Sequence, residues 1–143
     1  MLDIRTLNDR FAVAPQITPE DMPAIAAAGY VAVVNNRPDD EQPGQPSGDA
    51  IRAAAEAAGL RYTAVPVTHA GIAQPQLDAM TAALTAADGP VLAFCRSGTR
   101  SCHLWALAAA RAGRDPELLA HQADGAGYDL GGLRPTLDML AGR

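Results

Sequence analysis

Aromatic residues are scarce in this chain, with one Trp, three Tyr and two Phe among 143 residues. Large rings are therefore too few to dominate the interior, and a core of Ala, Val and Leu is expected, with helices packing closely on a sheet through small side chains. Cysteine is rarer still. Two cysteines, Cys95 and Cys102, cannot build a disulfide framework. No Cys/His cluster has the spacing of a zinc site, so neither a metal nor another cofactor is indicated. An excess of positive charge is also missing: 11 basic against 16 acidic residues leave a formal charge of −5. That balance argues against nonspecific binding to nucleic acid or to an anionic membrane. No apolar run approaches the ~18–20 residues of a membrane span. The start, Met1-Leu2-Asp3-Ile4-Arg5, lacks the basic-then-apolar layout of a signal peptide. A soluble, cytoplasmic protein acting on small molecules is expected.

What the chain does have is an alternation of strand-like and helix-like segments, and its 48% apolar content suffices for one core. Residues 1–143 are read as a single domain. Phe11–Ala14 reads as a first strand. Thr18, Pro19 and Asp21 have the layout of a helix start, and Gly29 ends that helix. Tyr30–Val34 is a near-continuous β-rich run, as expected of a strand buried on both faces. Asn35–Gly48 is a polar connection too rich in Pro and Gly for regular structure, and a loop of that length in a small domain is usually functional or mobile. Ser47 or Asp49 starts a helix over Ile51–Ala58. A strand at Leu60–Val67, a helix at Gln74–Ala87 and a strand at Val91–Phe94 follow, and then helices over Arg100–Ala112, Pro116–Ala123 and Leu130–Leu140. The pattern predicts an α/β fold with a largely parallel sheet of four or five strands flanked by helices. The polar segments after Val34, after Val67 and at Cys95 should converge outside the carboxyl ends of the strands, where open α/β sheets bind ligands.

The segment Cys95-Arg96-Ser97-Gly98-Thr99-Arg100 lies where the last strand runs into a helix. The first N–H groups of a helix have no intrahelical partner and carry partial positive charge, so an anion is welcome there. A cysteine thiolate placed among such donors is stabilised, which makes Cys95 the candidate nucleophile. Gly98 allows a turn in which several N–H groups point into one cup above the sulfur. Arg100, in the first helical turn, is placed to fold its guanidinium over that cup. Ser97, Thr99 and Ser101 have hydroxyls able to bond the thiolate or to cap the helix. Arg96 either guides an anionic substrate or is simply solvated. His69, just after a strand, is a candidate acid or base. Arg37 and Asp39 either add a second rim to the pocket or form an exposed ion pair. Cys102 faces the core by its spacing from Trp105, and a role as a resolving thiol is the alternative. His103 and His121 receive no role.

With Pro15-Gln16-Ile17-Thr18-Pro19-Glu20-Asp21 and Val34-Asn35-Asn36-Arg37-Pro38-Asp39, the Cys95–Ser101 loop resembles a bacterial family over nearly the whole chain. That family is the beta-lactamase hydrolase-like protein, phosphatase-like domain, also described as a sulfur transferase family. The resemblance implies a dual-specificity-phosphatase-like α/β fold, found alone or joined to metallo-hydrolase domains associated with sulfide and persulfide metabolism. Two departures bear on chemistry. Cysteine phosphatases are similar at the loop but have five residues between Cys and Arg, whereas here there are four, 96–99, as in rhodanese-like loops. The phosphatases also carry an Asp as general acid after the preceding strand, where this chain reads Pro66-Val67-Thr68-His69-Ala70-Gly71.

An alkoxide leaving group gains about 10²–10⁴-fold from a general acid. Sulfur transfer needs one less, because its leaving groups are stable anions. The sequence therefore favours a rhodanese-like sulfurtransferase that takes sulfane sulfur from thiosulfate or a persulfide onto Cys95 and passes it to a thiol acceptor. The alternatives are a phosphatase working through phosphocysteine and a noncatalytic thiol or persulfide sensor.

Overall fold

The structure, a computed structural model, describes residues 2–143. Five short strands, β1 (Arg5–Asn8), β2 (Phe11–Ala14), β3 (Ala32–Asn35), β4 (Arg61–Ala64) and β5 (Val91–Phe94), form one sheet in the order β1-β2-β5-β3-β4. The β2–β5, β5–β3 and β3–β4 pairs are parallel, and β1 runs antiparallel to β2 at one edge. Helices α1 (Met22–Ala27), α2 (Gly48–Ala57), α3 (Gln74–Ala86), α4 (Thr99–Arg111), α5 (Pro116–Gly125) and α6 (Arg134–Leu140) cover both faces.

Strand alternation divides the core in two. Phe11, Val13, Val34, Val91 and Ala93 face the layer of α3–α6, while Ala12, Ala14, Val33, Leu92 and Phe94 face Ile25 of α1 and Ile51 and Ala55 of α2. β2, β3 and β5 are buried along their whole length. This is why they read as continuous apolar runs. Alanine and valine dominate them as expected, and four of the six rings, those of Phe11, Phe94, Trp105 and Tyr128, are also inside. Trp105 and Phe94 are among the largest fully buried side chains, and Phe11 stacks on Trp105 with ring centroids 5.5 Å apart. Among the described residues no helix is long and apolar enough to cross a membrane.

The parallel α/β architecture matches the sequence expectation, and the differences lie at its margins. β1 is an edge strand that the sequence pattern does not reveal. Leu7 is its one buried residue, and a ladder on one edge needs no continuous apolar run. The turn into β2 is closed by the Arg10 N–H, which donates to Asn8 Oδ1 at 2.8 Å. The strand expected over 60–67 is assigned as β4 only to Ala64. Val65 and Val67 nevertheless donate to the carbonyls of Asn35 and Asn36, while Pro66 has no N–H to give. Ser47, not Asp49, caps α2, with its Oγ accepting the Ala50 N–H at 3.1 Å. The expected helix over 130–140 begins as a 3-10 turn at Gly131–Leu133 before α6.

Candidate active site

β5 ends at Phe94 and α4 begins at Thr99, so residues 95–98 form the whole turn between them. Cys95 is fully buried at its floor, and its Sγ accepts the Gly98 N–H at 3.1 Å. Gly98 has φ +93°, a left-handed conformation that any Cβ would strain. A Cβ there would also collide with the Tyr128 ring and hydroxyl. The Tyr128 hydroxyl donates to the Ser97 carbonyl at 3.0 Å. Because a peptide group is planar and trans, a carbonyl drawn one way sends the following N–H the other way. Tyr128 pulls the Ser97 carbonyl outward, which turns the Gly98 N–H onto the sulfur. The Arg96 carbonyl is likewise engaged by the Gln16 N–H at 3.2 Å. At the start of α4 the N–H groups of Thr99, Arg100 and Ser101 precede the first helical bond, from Cys102 N–H to the Gly98 carbonyl.

Arg100 reaches across the carboxyl ends of the strands. Its Nη1 donates to Glu41 Oε2 and to the Val67 carbonyl, both at 2.7 Å, and its Nη2 donates to Glu41 Oε1 at 2.8 Å. Arg37, whose side chain is only 3% exposed, donates from Nε to the same carboxylate at 2.9 Å. Its other nitrogens hold Gln16 Oε1 and Gln42 Oε1. Hydrogen bonding to Arg100, then to Arg37, pulls the Glu41 carboxyl down to about 2, against the opposing effect of burial. Reciprocally, Glu41 raises the affinity of Arg100 for its proton, and the nearby Cys95 sulfur acts in the same direction. Segments following β2, β3, β4 and β5 thus meet at one point. Three of these are the segments expected to converge, and Gln16 adds the fourth.

The other sequence candidates divide. Ser97 and Thr99 bond each other, Oγ to Oγ1 at 3.0 Å, rather than the thiol. Ser101 is fully buried, and its hydroxyl has no hydrogen-bond partner among the described residues. The Arg96 side chain is exposed. Asp39 does not pair with Arg37. It accepts the Gly48 N–H at 2.7 Å and so anchors the loop to the start of α2, while Glu41 takes the place expected of Asp39. His69 is exposed on the Thr68–Gly71 turn, and its imidazole makes no hydrogen bond among the described residues. Cys102 faces the core, as its spacing from Trp105 predicts, and burial pushes its thiol up to about 12. A resolving role for it has no support, because such a thiol stays protonated. Sequence reasoning missed Glu41, Gln16 and Tyr128. Only Glu41 left a trace, an acid four residues beyond Arg37.

A five-stranded, mostly parallel sheet with a cysteine loop opening a buried helix is the architecture of the cysteine phosphatases. A crystal structure of a candidate phosphatase from Neisseria meningitidis superposes with a TM-score of 0.82 and 33% identity, covering 96% of this chain and 97% of that one. A kinase-associated phosphatase, solved with its catalytic-site cysteine replaced by serine, matches with a TM-score of 0.72 at 15% identity over 100% of this chain and 97% of that one. The chain belongs to the family of the beta-lactamase hydrolase-like protein, phosphatase-like domain, whose model matches residues 3–112. A beta-lactamase hydrolase-like protein of Xylella fastidiosa is 38% identical over 134 residues, or 91% of this chain. The chain spans only 30% of that relative's length.

Proposed function

We propose that the domain is a cysteine-dependent phosphomonoesterase acting on a small anionic ester through a phosphocysteine at Cys95. The observation that carries this reading is the joint arrangement of the Cys95 sulfur under the Gly98 N–H and the Arg100 guanidinium at the rim. The cysteine-phosphatase fold supports it. The expectation of sulfur transfer gains no support from the family model or the similar solved structures, whose descriptions speak of phosphatases.

In the first step the Cys95 thiolate attacks phosphorus, forming the S–P bond as the ester P–O bond breaks and the oxyanion leaves with the bond's electron pair, to be protonated by solvent. Water then attacks phosphorus and gives up a proton to solvent as the S–P bond breaks, releasing inorganic phosphate and the thiolate. The phosphoryl oxygens sit against the loop N–H groups and Arg100, where preorganised donors stabilise developing charge. Arg100 must exchange Glu41 for the substrate. Glu41, held ionised by two arginines, is no proton donor in the resting site. Leaving groups that depart as stable anions, such as aryl oxides, are therefore the favoured substrates.

Sulfur transfer keeps two specific points in its favour. The Cys–Arg spacing of four residues and the absence of a carboxylate after β4 both suit a reaction that needs no acid. A side-by-side assay separates the two. Turnover of p-nitrophenyl phosphate, abolished in Cys95→Ser and in Arg100→Ala, supports the phosphatase. No phosphate release, with a mass gain of one sulfur atom on Cys95 after exposure to thiosulfate, overturns it in favour of sulfur transfer.

A further inference from the structure

Arg100 belongs to two places at once. Besides rimming the Cys95 loop it lines a recess of about 380 Å³ with Val67, Ile72, His103, Leu107 and Leu133. A second recess of about 390 Å³ continues it, sharing Ile72, Leu107 and Thr136 and adding Leu77, Met139 and Leu140. Together they make a trough between α4, α6 and the start of α3. On α4 the residues lining it are Arg100, His103, Leu107 and Arg111, spaced three, four and four apart, which is one face of a helix. At 1.5 Å per residue that stripe is about 16 Å long.

The lining is mainly aliphatic, and no Asp or Glu lines either recess. Arg100 stands at one end, held by Glu41, and Arg111 at the other, where its Nη1 donates to Asp78 Oδ1 at 2.8 Å, so an anionic head reaches Arg100 by taking the place of Glu41. Burial lowers the proton affinity of His103, so the middle of the trough is neutral. Met139, 67% exposed, forms part of the outer lip and is more exposed than Leu118, at 45%. The trough is therefore open to an apolar body whose negative head lies at Arg100.

We propose that this trough is the specificity site of the domain and binds the alkyl or aryl body of a soluble anionic monoester whose head group occupies the Cys95–Arg100 loop. The inference rests on that loop as the anion site and goes beyond it by naming the substrate class as amphiphilic. One wall of the trough is built by α6, which lies beyond the residues the family model matches.

The test is calorimetric titration of the Cys95→Ser protein with ethyl, butyl and octyl phosphate below micellar concentrations. Each methylene taken out of water strengthens binding by up to roughly fourfold, so octyl phosphate should bind at least about tenfold more tightly than ethyl phosphate even with partial burial. Thr136 is exposed on α6 and lines both recesses, so Thr136→Trp should fill the trough without disturbing the core. That variant is expected to erase the gain with chain length and to leave ethyl phosphate affinity within about twofold, because the indole excludes only the buried methylenes. Equal affinity across the series, or a gain that survives Thr136→Trp, overturns the proposal. If ethyl phosphate itself fails to bind, the loop is no anion site and the trough proposal falls with it. The catalytic reading is judged separately, by hydrolysis with Cys95 intact, so a domain that binds octyl phosphate tightly but hydrolyses nothing loses its reaction and keeps its trough.

Discussion

Cys95 and Cys102 are the same side chain, equally buried and seven positions apart, yet they occupy opposite electrostatic settings. Cys95 lies ahead of α4, where the Gly98 N–H meets its sulfur and Arg100 stands nearby. Cys102 lies one turn inside the helix, where its N–H is already committed to the Gly98 carbonyl and its neighbours are apolar. Burial first, and then the charge of the nearby Cys95 sulfur, hold the proton of the second thiol up to about 12. Reactivity at a buried cysteine is therefore a matter of which donors the backbone has left over, and these run out within the first turn of a helix.

The sharpest way to break this contrast is to remove each sulfur in turn. Cys95→Ser should reduce aryl phosphate turnover by at least about a thousandfold, while Cys102→Ala should leave kcat within about twofold and cost on the order of 1 kcal/mol of stability by urea unfolding. Comparable losses of turnover from both would erase the distinction. Next in size is Arg100→Gln, which keeps a polar side chain but removes the charge. A fall of roughly 10²–10³-fold in kcat/KM is expected if the guanidinium stabilises the transferring group.

A smaller effect should follow from Tyr128→Phe, which releases the Ser97 carbonyl. The lost hydrogen bond is worth about 0.5–1.5 kcal/mol in thermal unfolding, and kcat should drop several-fold as the Gly98 N–H loses its orientation. A variant with lower stability but unchanged kcat would show that the tether serves only the fold. The smallest effect is in the pH dependence of stability. Since the Glu41 carboxyl sits at about 2 instead of its ordinary 4.5, its ion pairs stabilise the fold fully above about pH 4.5 and lose that contribution as the pH falls toward 2. The stability gap between the parent and Glu41→Gln, on the order of 1 kcal/mol for a partly exposed pair, should be present at pH 6 and vanish near pH 2. A gap independent of pH would mean that the carboxylate charge contributes nothing.

The central strands and the Cys95–Arg100 loop are legible in the sequence because each is contiguous in the chain. Val91–Phe94 is buried on both faces, and the loop follows it directly into a helix. Glu41 is not legible in the same way, because its spacing of four from Arg37 is all that separates it from its neighbours Asp39 and Asp40. Its partnership arises only when Arg37 and Arg100, brought together from two loops by the parallel sheet, enclose one carboxylate. Tyr128 and Gln16 are hidden for the same reason, since each acts on a backbone carbonyl distant in sequence. The choice between sulfur and phosphorus is the least legible of all. Both chemistries ask the same loop for a thiolate and an anion clamp, and the four-residue spacing bears on the size of the cup more than on the atom it holds.

The Tyr128 hydroxyl that steers the loop lies beyond residue 112, the last residue the family model matches. Anyone trimming this polypeptide to residues 3–112 would keep every strand and the nucleophile while discarding the latch that aims an amide at it. Such a shortened product would also lose Leu119, Ala123, Leu130 and Leu137 from the core, so the tail serves the fold and the loop together.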